Sequence, residues 1–158
     1  DPLTGLLNRR TFTEILERKI KLQTENQDFH GILAYIDLDN FKLINDQMGH
    51  QTGDEVLMII SNQLKDLVNT NDLVARLGGD EFAIWFDRIS AGDVEKVLSP
   101  INQNQSLFSK FSPDPSRPFS LSIGKAEVKG RANETLSQII AKADAAMYVH
   151  KRSKKQKQ

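Results

Sequence analysis

No cysteine occurs in the 158 residues, which excludes a disulfide framework, a thiolate zinc site and a cysteine nucleophile. An excess of either charge is missing as well. The 21 Lys and Arg cancel the 21 Asp and Glu, so no global field draws the chain to nucleic acid or to an anionic membrane surface. Any polyanionic ligand therefore has to be held by a local cluster. Long apolar runs are also lacking. Ile32-Leu33-Ala34-Tyr35-Ile36 falls far below the roughly 20 residues a membrane helix needs, and no signal-peptide pattern opens the chain. These absences fit a cytoplasmic piece with no membrane contact of its own, whether or not its parent protein is membrane-anchored. The chain starts at Asp1 without Met, inside a motif, and reads as a segment excised from a longer protein.

What is present suffices for one domain. A chain of 158 residues with 39% hydrophobic content is long enough to bury its own core. From Thr11 the residues Phe12, Ile15, Leu16, Ile20 and Leu22 recur at helical spacing. Gly31 to Ile36 is a continuous apolar run, as expected of a strand buried on both faces, and it ends in Asp37-Leu38-Asp39. Thr52 and Glu55 match a capping box, followed by the buried stripe Val56, Leu57, Ile60, Leu64, Leu67 and Val68. Leu73–Leu77 and Phe82–Phe86 read as two strands of a hairpin whose turn is Gly78-Gly79-Asp80-Glu81.

Val94, Val97, Leu98 and Ile101 mark a further helix, and a Ser/Asn/Gln-rich loop with Pro113, Pro115 and Pro118 is expected to be exposed and without chemistry. Phe119, Leu121 and Ile123 alternate as a half-buried strand, and Leu136, Ile139, Ile140, Ala143 and Met147 pattern a last helix. Residues 152–158 read as a frayed basic tail. Strands mixed with helices in this order predict an α+β fold, a mainly antiparallel sheet covered by helices.

The acids carry the chemistry. Asp37 and Asp39 end a buried strand, and Asp80 and Glu81 sit in a tight glycine turn, so the fold gathers carboxylates at one rim of a sheet. Carboxylates without His or Cys partners favour a hard cation such as Mg²⁺, which shares its shell with substrate phosphates. A glycine pair permits positive φ and close approach of a ligand. Alone, Gly-Gly-Asp-Glu is also what an ordinary surface hairpin carries. Polar Asn45, Asp46, Gly49, His50 and Asp54 crowd the link to the next helix, as a solvent loop also would. Lys42, Lys151 and Lys155 are able to neutralise phosphates, a role every solvated lysine shares.

Longer stretches go beyond this. Arg76-Leu77-Gly78-Gly79-Asp80-Glu81-Phe82 resembles the signature turn of the GGDEF family of diguanylate cyclases. Asp1-Pro2-Leu3-Thr4-Gly5-Leu6-Leu7-Asn8-Arg9-Arg10 is similar to the family's D-x-L-T-x-L-x-N-R-R, and Asp37-Leu38-Asp39-Asn40-Phe41-Lys42-Leu43-Ile44-Asn45-Asp46 to its D-x-D-x-F-K-x-I-N-D. Gly49-His50, Gly53-Asp54, Ser122-Ile123-Gly124 and Ala143–Tyr148 continue the agreement in order, to about Lys151.

The resemblance implies a nucleotidyl-cyclase or palm-like fold with a ferredoxin-like core, and an enzyme that joins two GTP into cyclic di-GMP and two pyrophosphates. It implies two metal ions, Mg²⁺ with Mn²⁺ as the alternative, on Asp37, Asp80, Glu81 and the carbonyl of Leu38, with Asp39 less certain. Asp37, Asp80 and Glu81 form the catalytic set, Glu81 being a candidate general base. Asn45 and Asp54 correspond to the guanine-binding pair, and a carboxylate at Asp54 accepts from N1–H and N2–H₂, donors that adenine lacks. Lys42, Lys151 and Lys155 are implied at the triphosphate, the amides of Asn40 and Phe41 cradle it, Gly79 lets the chain approach it, and His50 joins the substrate set. One domain binds one GTP, so the resemblance implies a homodimer for catalysis, with no nucleic-acid partner.

Two departures stand out. The family's R-x-x-D inhibition site reads Asn69-Thr70-Asn71-Asp72 here, which keeps the Asp, loses the guanidinium fork and implies weak or absent product inhibition. The closing K-x-x-G-R-N reads Lys151-Arg152-Ser153-Lys154-Lys155-Gln156, so Lys155 replaces an Arg. The competing readings are a catalytically silent GGDEF domain that senses GTP or binds protein, and another nucleotidyl cyclase.

Overall fold

A computed structural model describes residues 1–23, 25–131 and 133–156, with side chains throughout except at Gln105, Lys155 and Gln156. Strands β1 (His30–Asp39), β2 (Leu73–Gly78), β3 (Glu81–Asp87) and β4 (Ser120–Lys129) form one sheet in the order β2-β3-β1-β4, every adjacent pair antiparallel. Helices α1 (Arg9–Gln23), α2 (Phe41–Met48), α3 (His50–Leu67), α4 (Ala91–Asn102), α5 (Gln105–Lys110) and α6 (Leu136–Gln156) cover it. The antiparallel sheet with helices is the expected α+β architecture.

β1 is central, and every residue from Gly31 to Asp39 is buried. Because side chains alternate along a strand, Ile32, Ala34, Ile36 and Leu38 face one core with Ile44, Val56, Ile60 and Leu64, while Leu33 and Tyr35 face the other with Phe12, Leu16, Ile139 and Met147. The same alternation puts Asp37 and Asp39 on the second face, towards α6. That face accepts its helices closely. A Cβ on Gly124 of β4 would run into backbone atoms of Ala143 and Met147, so α6 lies directly on the strand. Gly31 likewise makes room for the Trp85 ring.

Several local details differ from the sequence reading. Phe41–Met48 is a separate helix where a polar connection was expected, and Gly49, at φ +93, breaks it from α3. Gly49 is also the N-cap of α3, which starts at His50, so Thr52 and Glu55 lie inside the helix and form no capping box. The expected loop after α4 contains α5, capped by the Asn104 side chain accepting from the Leu107 amide at 3.2 Å. Leu107, Phe111 and Phe119 along this stretch are buried, while Gln103, Ser106, Ser109, Lys110 and Pro115 to Arg117 are exposed as expected. α6 continues as helix to Gln156, so residues 152–156 are not a frayed tail. Lys155 has a helical backbone, and its side chain lies outside the described residues. Among the described residues no helix is long and apolar enough to cross a membrane.

Candidate active site

The β2–β3 turn is built by its glycines. Gly78 and Gly79 have φ of +148° and +49°, conformations that cost a β-carbon strain, and the space around both is open. Three bonds then fix the turn. Leu38 N–H donates to the Asp80 carbonyl at 3.1 Å, tying the turn to the end of β1. Arg76 Nε donates to the Gly79 carbonyl at 3.0 Å, while its Nη1 donates to both Asp1 carboxylate oxygens at 3.4 Å. Asp1 in turn accepts from the Thr4 amide and hydroxyl at 2.9 and 2.6 Å. The opening segment and the signature turn are thus one unit.

The turn sets Asp80 against Asp37. Burial, followed by the charge and hydrogen-bonding of Asp37, pushes the Asp80 carboxyl up to about 6. Lys151 of α6 donates to Asp37 Oδ2 at 2.6 Å. Its burial works against the ammonium, but the Asp37 bond and the charges of Asp37, Asp39 and Asp80 outweigh it and hold the lysine protonated. Asp37 Oδ1 is buried and, among the described residues, takes no hydrogen bond in the geometry seen. An orphaned carboxylate oxygen beside a second, destabilised carboxyl is an incomplete electrostatic site, and oxygen-only donors match a hard divalent cation.

Glu81, opposite Asp37 in the β1–β3 register, is turned elsewhere. The Tyr35 hydroxyl donates to it at 2.8 Å and Arg9 pairs with it at 3.6 Å. Burial, which outweighs the opposing effect of Arg9, raises Tyr35 and keeps its hydroxyl a donor. Among the described residues no three carboxylates or histidines converge as a ready ligand set. A cleft of about 580 Å³ opens between this rim and α6, lined by Asp37, Glu81, Asp144, Tyr148, Lys151 and Arg152, among others.

Asp39 is distinct from this pair. Ser120 and Ser122 donate to its two oxygens at 2.5 and 2.7 Å, and Lys154 at 2.9 Å. Its carboxylate is saturated by protein.

The remaining candidates lie on α2 and α3. Asn40 is left-handed at φ 62° and is the N-cap of α2 without using its side chain there. That side chain instead donates to the Pro118 carbonyl at 2.8 Å. The first turn of α2 at Phe41 and Lys42 thus keeps the donor character of a helix N-terminus. A Cβ on Gly53 would strike Asn45 Oδ1, so this glycine lets the Asn45 amide lie against α3. Lys42, His50 and Asp54 are exposed, and nothing among the described residues ties them to the acid pair. Sequence reasoning missed Tyr35, Arg9, Pro118, Ser120, Ser122 and Lys154 as supports. The one signal able to point towards some of them is the alternation along β1, which aims its acids at one face of the sheet.

A family model described as diguanylate cyclase, GGDEF domain, matches residues 1–157. The chain is 37% identical over 153 residues to diguanylate cyclase TpbB of Pseudomonas aeruginosa, covering 96% of this chain and 35% of that protein. With diguanylate cyclase DosC of Escherichia coli the identity is 38% over 157 residues, covering 96% and 33%. The chain therefore spans about a third of the length of these curated relatives. Among solved structures it is similar to the GGDEF domain of DgcB from Caulobacter crescentus in complex with c-di-GMP, at 32% identity and TM-score 0.79, covering 97% of this chain and 90% of that one. It is also similar to diguanylate cyclase SiaD of Pseudomonas aeruginosa, solved with its activator SiaC, at 32% identity and TM-score 0.81, covering 97% and 58%.

Proposed function

The chain belongs to the GGDEF family of diguanylate cyclase domains, and from that premise we propose that it condenses two GTP molecules into cyclic di-GMP, releasing two pyrophosphates. The observation that carries this reading is the Asp37–Asp80 pair at the strand rim, with a buried, partnerless oxygen on Asp37 and the Lys151 ammonium beside it.

Asp37 and Asp80, with the Leu38 carbonyl, would hold the divalent metal, Mg²⁺ by its cellular abundance or Mn²⁺. When bound, the metal supplies charge neutralisation at the reacting phosphate and a lowered pKa for the attacking hydroxyl. The chain's own groups do the rest. The first-turn amides of α2 and the ammonium groups of Lys42 and Lys151 bind the triphosphate, with Lys155 adding charge. The 3′-hydroxyl of one GTP attacks the α-phosphorus of the other, the bond to the β-phosphate oxygen breaks, and pyrophosphate leaves. Glu81 stands at the rim as the acceptor for the hydroxyl proton, oriented by Tyr35 and Arg9. Repeating the step on the second pair closes the ring. Each domain presents one GTP, so two copies face each other for turnover.

Metal binding is readable without turnover. At ten times its Kd, Mg²⁺ should stabilise the chain by about 1.4 kcal/mol, roughly 4 °C in Tm for a domain of this size. Asp80→Asn should abolish that increment in a thermal scan with and without MgCl₂; an unchanged increment would place the metal elsewhere.

Guanine selection rests on Asn45 and Asp54. Replacing Asp54 by Ala should weaken GTP binding about ten-fold, the loss of one exposed charge-assisted contact, and leave ATP binding unchanged. Calorimetric titration of both nucleotides checks this, and an equal loss for ATP would assign Asp54 to the phosphates instead of the base. Inhibition by product should be weak. Asp72 is engaged by the Asn69 and Asp87 amides at 2.9 and 2.8 Å, and no arginine stands at position 69.

A further inference from the structure

The last turns of α6 have no hydrophobic anchor. Met147 is the last buried apolar residue among those described on this helix, and Tyr148 and Val149 beyond it are exposed. A helix end without apolar contacts frays, yet Lys151 sits here and must meet Asp37. Three polar ties replace the missing core. The Ile123 amide donates to His150 Nδ1 at 3.0 Å, Lys151 bonds Asp37, and Lys154 bonds Asp39 at 2.9 Å. Lys154 also donates to the Leu121 carbonyl and to Ser120 Oγ, the latter at 3.4 Å. β4 is one of the two edge strands of the sheet, and α6 takes up its Leu121 carbonyl and Ile123 amide.

Of the three ties, the one at Lys154 is the most built. Asp39 is only 6% exposed, and its oxygens accept from Ser120, Ser122 and Lys154. The receiving carboxylate is therefore fixed before the lysine arrives. Lys151 and Lys154 are three residues apart on one helical face, and Asp37 and Asp39 are two apart on one face of β1. The two bridges run parallel, so fixing one sets the reach of the other. A lysine side chain loses much rotamer freedom on being held. Lys151 alone, on an unanchored turn, would populate many positions besides the one at Asp37.

We propose that Lys154, acting through Asp39, is a positioning residue of this domain: it clamps the end of α6 to the end of β1 and so places the Lys151 ammonium at Asp37 for the incoming triphosphate. Among the described residues the hydrogen bonds of Lys154 go to Asp39, Ser120 and Leu121, not to the Asp37–Asp80 pair, so it acts through Lys151. The proposal deepens the cyclase reading and rests on it for the identity of the triphosphate.

The test uses the 158-residue chain with Lys154→Met, Lys154→Arg and the double variant Asp39→Asn/Lys154→Met. Lys154→Met leaves Asp39 buried without its counter-charge and is expected to lower Tm. The double variant removes that uncompensated charge and should regain most of the lost Tm. Acylation of Lys151 by an amine-reactive anhydride, followed by mass spectrometry, reads its protection at Asp37. It should quicken several-fold in both Met variants and return towards wild type in Lys154→Arg. GTP affinity should fall about ten-fold in both Met variants, the loss of roughly one charge-assisted contact. A purely structural role would restore Lys151 protection together with Tm in the double variant, and that result overturns the proposal. If the wild-type chain binds no GTP while Lys151 still becomes reactive in the Met variants, the positioning role holds and the cyclase reading falls.

Discussion

Asp37→Asn is expected to lower cyclic di-GMP formation by about three orders of magnitude while the protein stays folded, the scale of losing several kcal/mol of metal-based transition-state stabilisation. An amide keeps the shape of Asp37 and removes what the site uses: the negative charge and one of the two acceptor oxygens. The fold has little to lose from the change. Asp37 is opposed by Asp80, whose own carboxyl is pushed up by burial and by that neighbour. Lys151, left without its partner, is part-exposed and able to turn to water. A Tm within a few degrees of wild type, with product formation gone, is the expected pair of results. Activity that survives the substitution would remove Asp37 from the catalytic set.

Gly124→Val should be strongly damaging without touching the acids. The Cβ would meet the Ala143 carbonyl and the Met147 backbone, which have no rotamer to yield. α6 must then lift from β4, loosening the packing of Ile139, Ala143 and Met147 around it. Overpacking of this kind costs about 3 kcal/mol, measurable as a lower midpoint in urea with the m-value kept. Lys151 lies one turn beyond Met147, so activity should fall with it even where the fold survives. A variant as stable as wild type would show that α6 tolerates displacement, against the close contact seen here.

The sequence made the strand rim readable because its signals are local. An apolar run ending in Asp37-Leu38-Asp39 and a Gly-Gly turn ending in Asp80-Glu81 each mark a strand end, and the two ends meet through Leu38 and Asp80. Long helices with many apolar positions, α1, α3, α4 and α6, were visible in the same way. α2 and α5 were not, since eight and six residues hold too few periodic positions to rise above a polar loop. The Thr52/Glu55 pattern misled because Gly49, with its positive φ, already caps the helix three residues earlier. The second layer of the site was illegible for a different reason. Ser120 and Ser122 meet Asp39 across 81 and 83 residues of chain, and Lys154 across 115. Such pairings follow from the sheet order and the seat of α6, which no local pattern specifies. Glu81 is the same case: its sequence neighbours mark it as an acid of the turn, while Tyr35 and Arg9 decide where it points.

The proposed activity is synthesis of cyclic di-GMP from GTP at a site completed by a second copy. The most direct measurement incubates the chain with GTP and MgCl₂ over a wide range of protein concentration and chromatographs the nucleotides. Cyclic di-GMP and two pyrophosphates per product are expected, at a rate that rises more steeply than in proportion to protein. No product at any concentration, with GTP still bound tightly, would contradict it and make the domain a nucleotide-binding regulatory module.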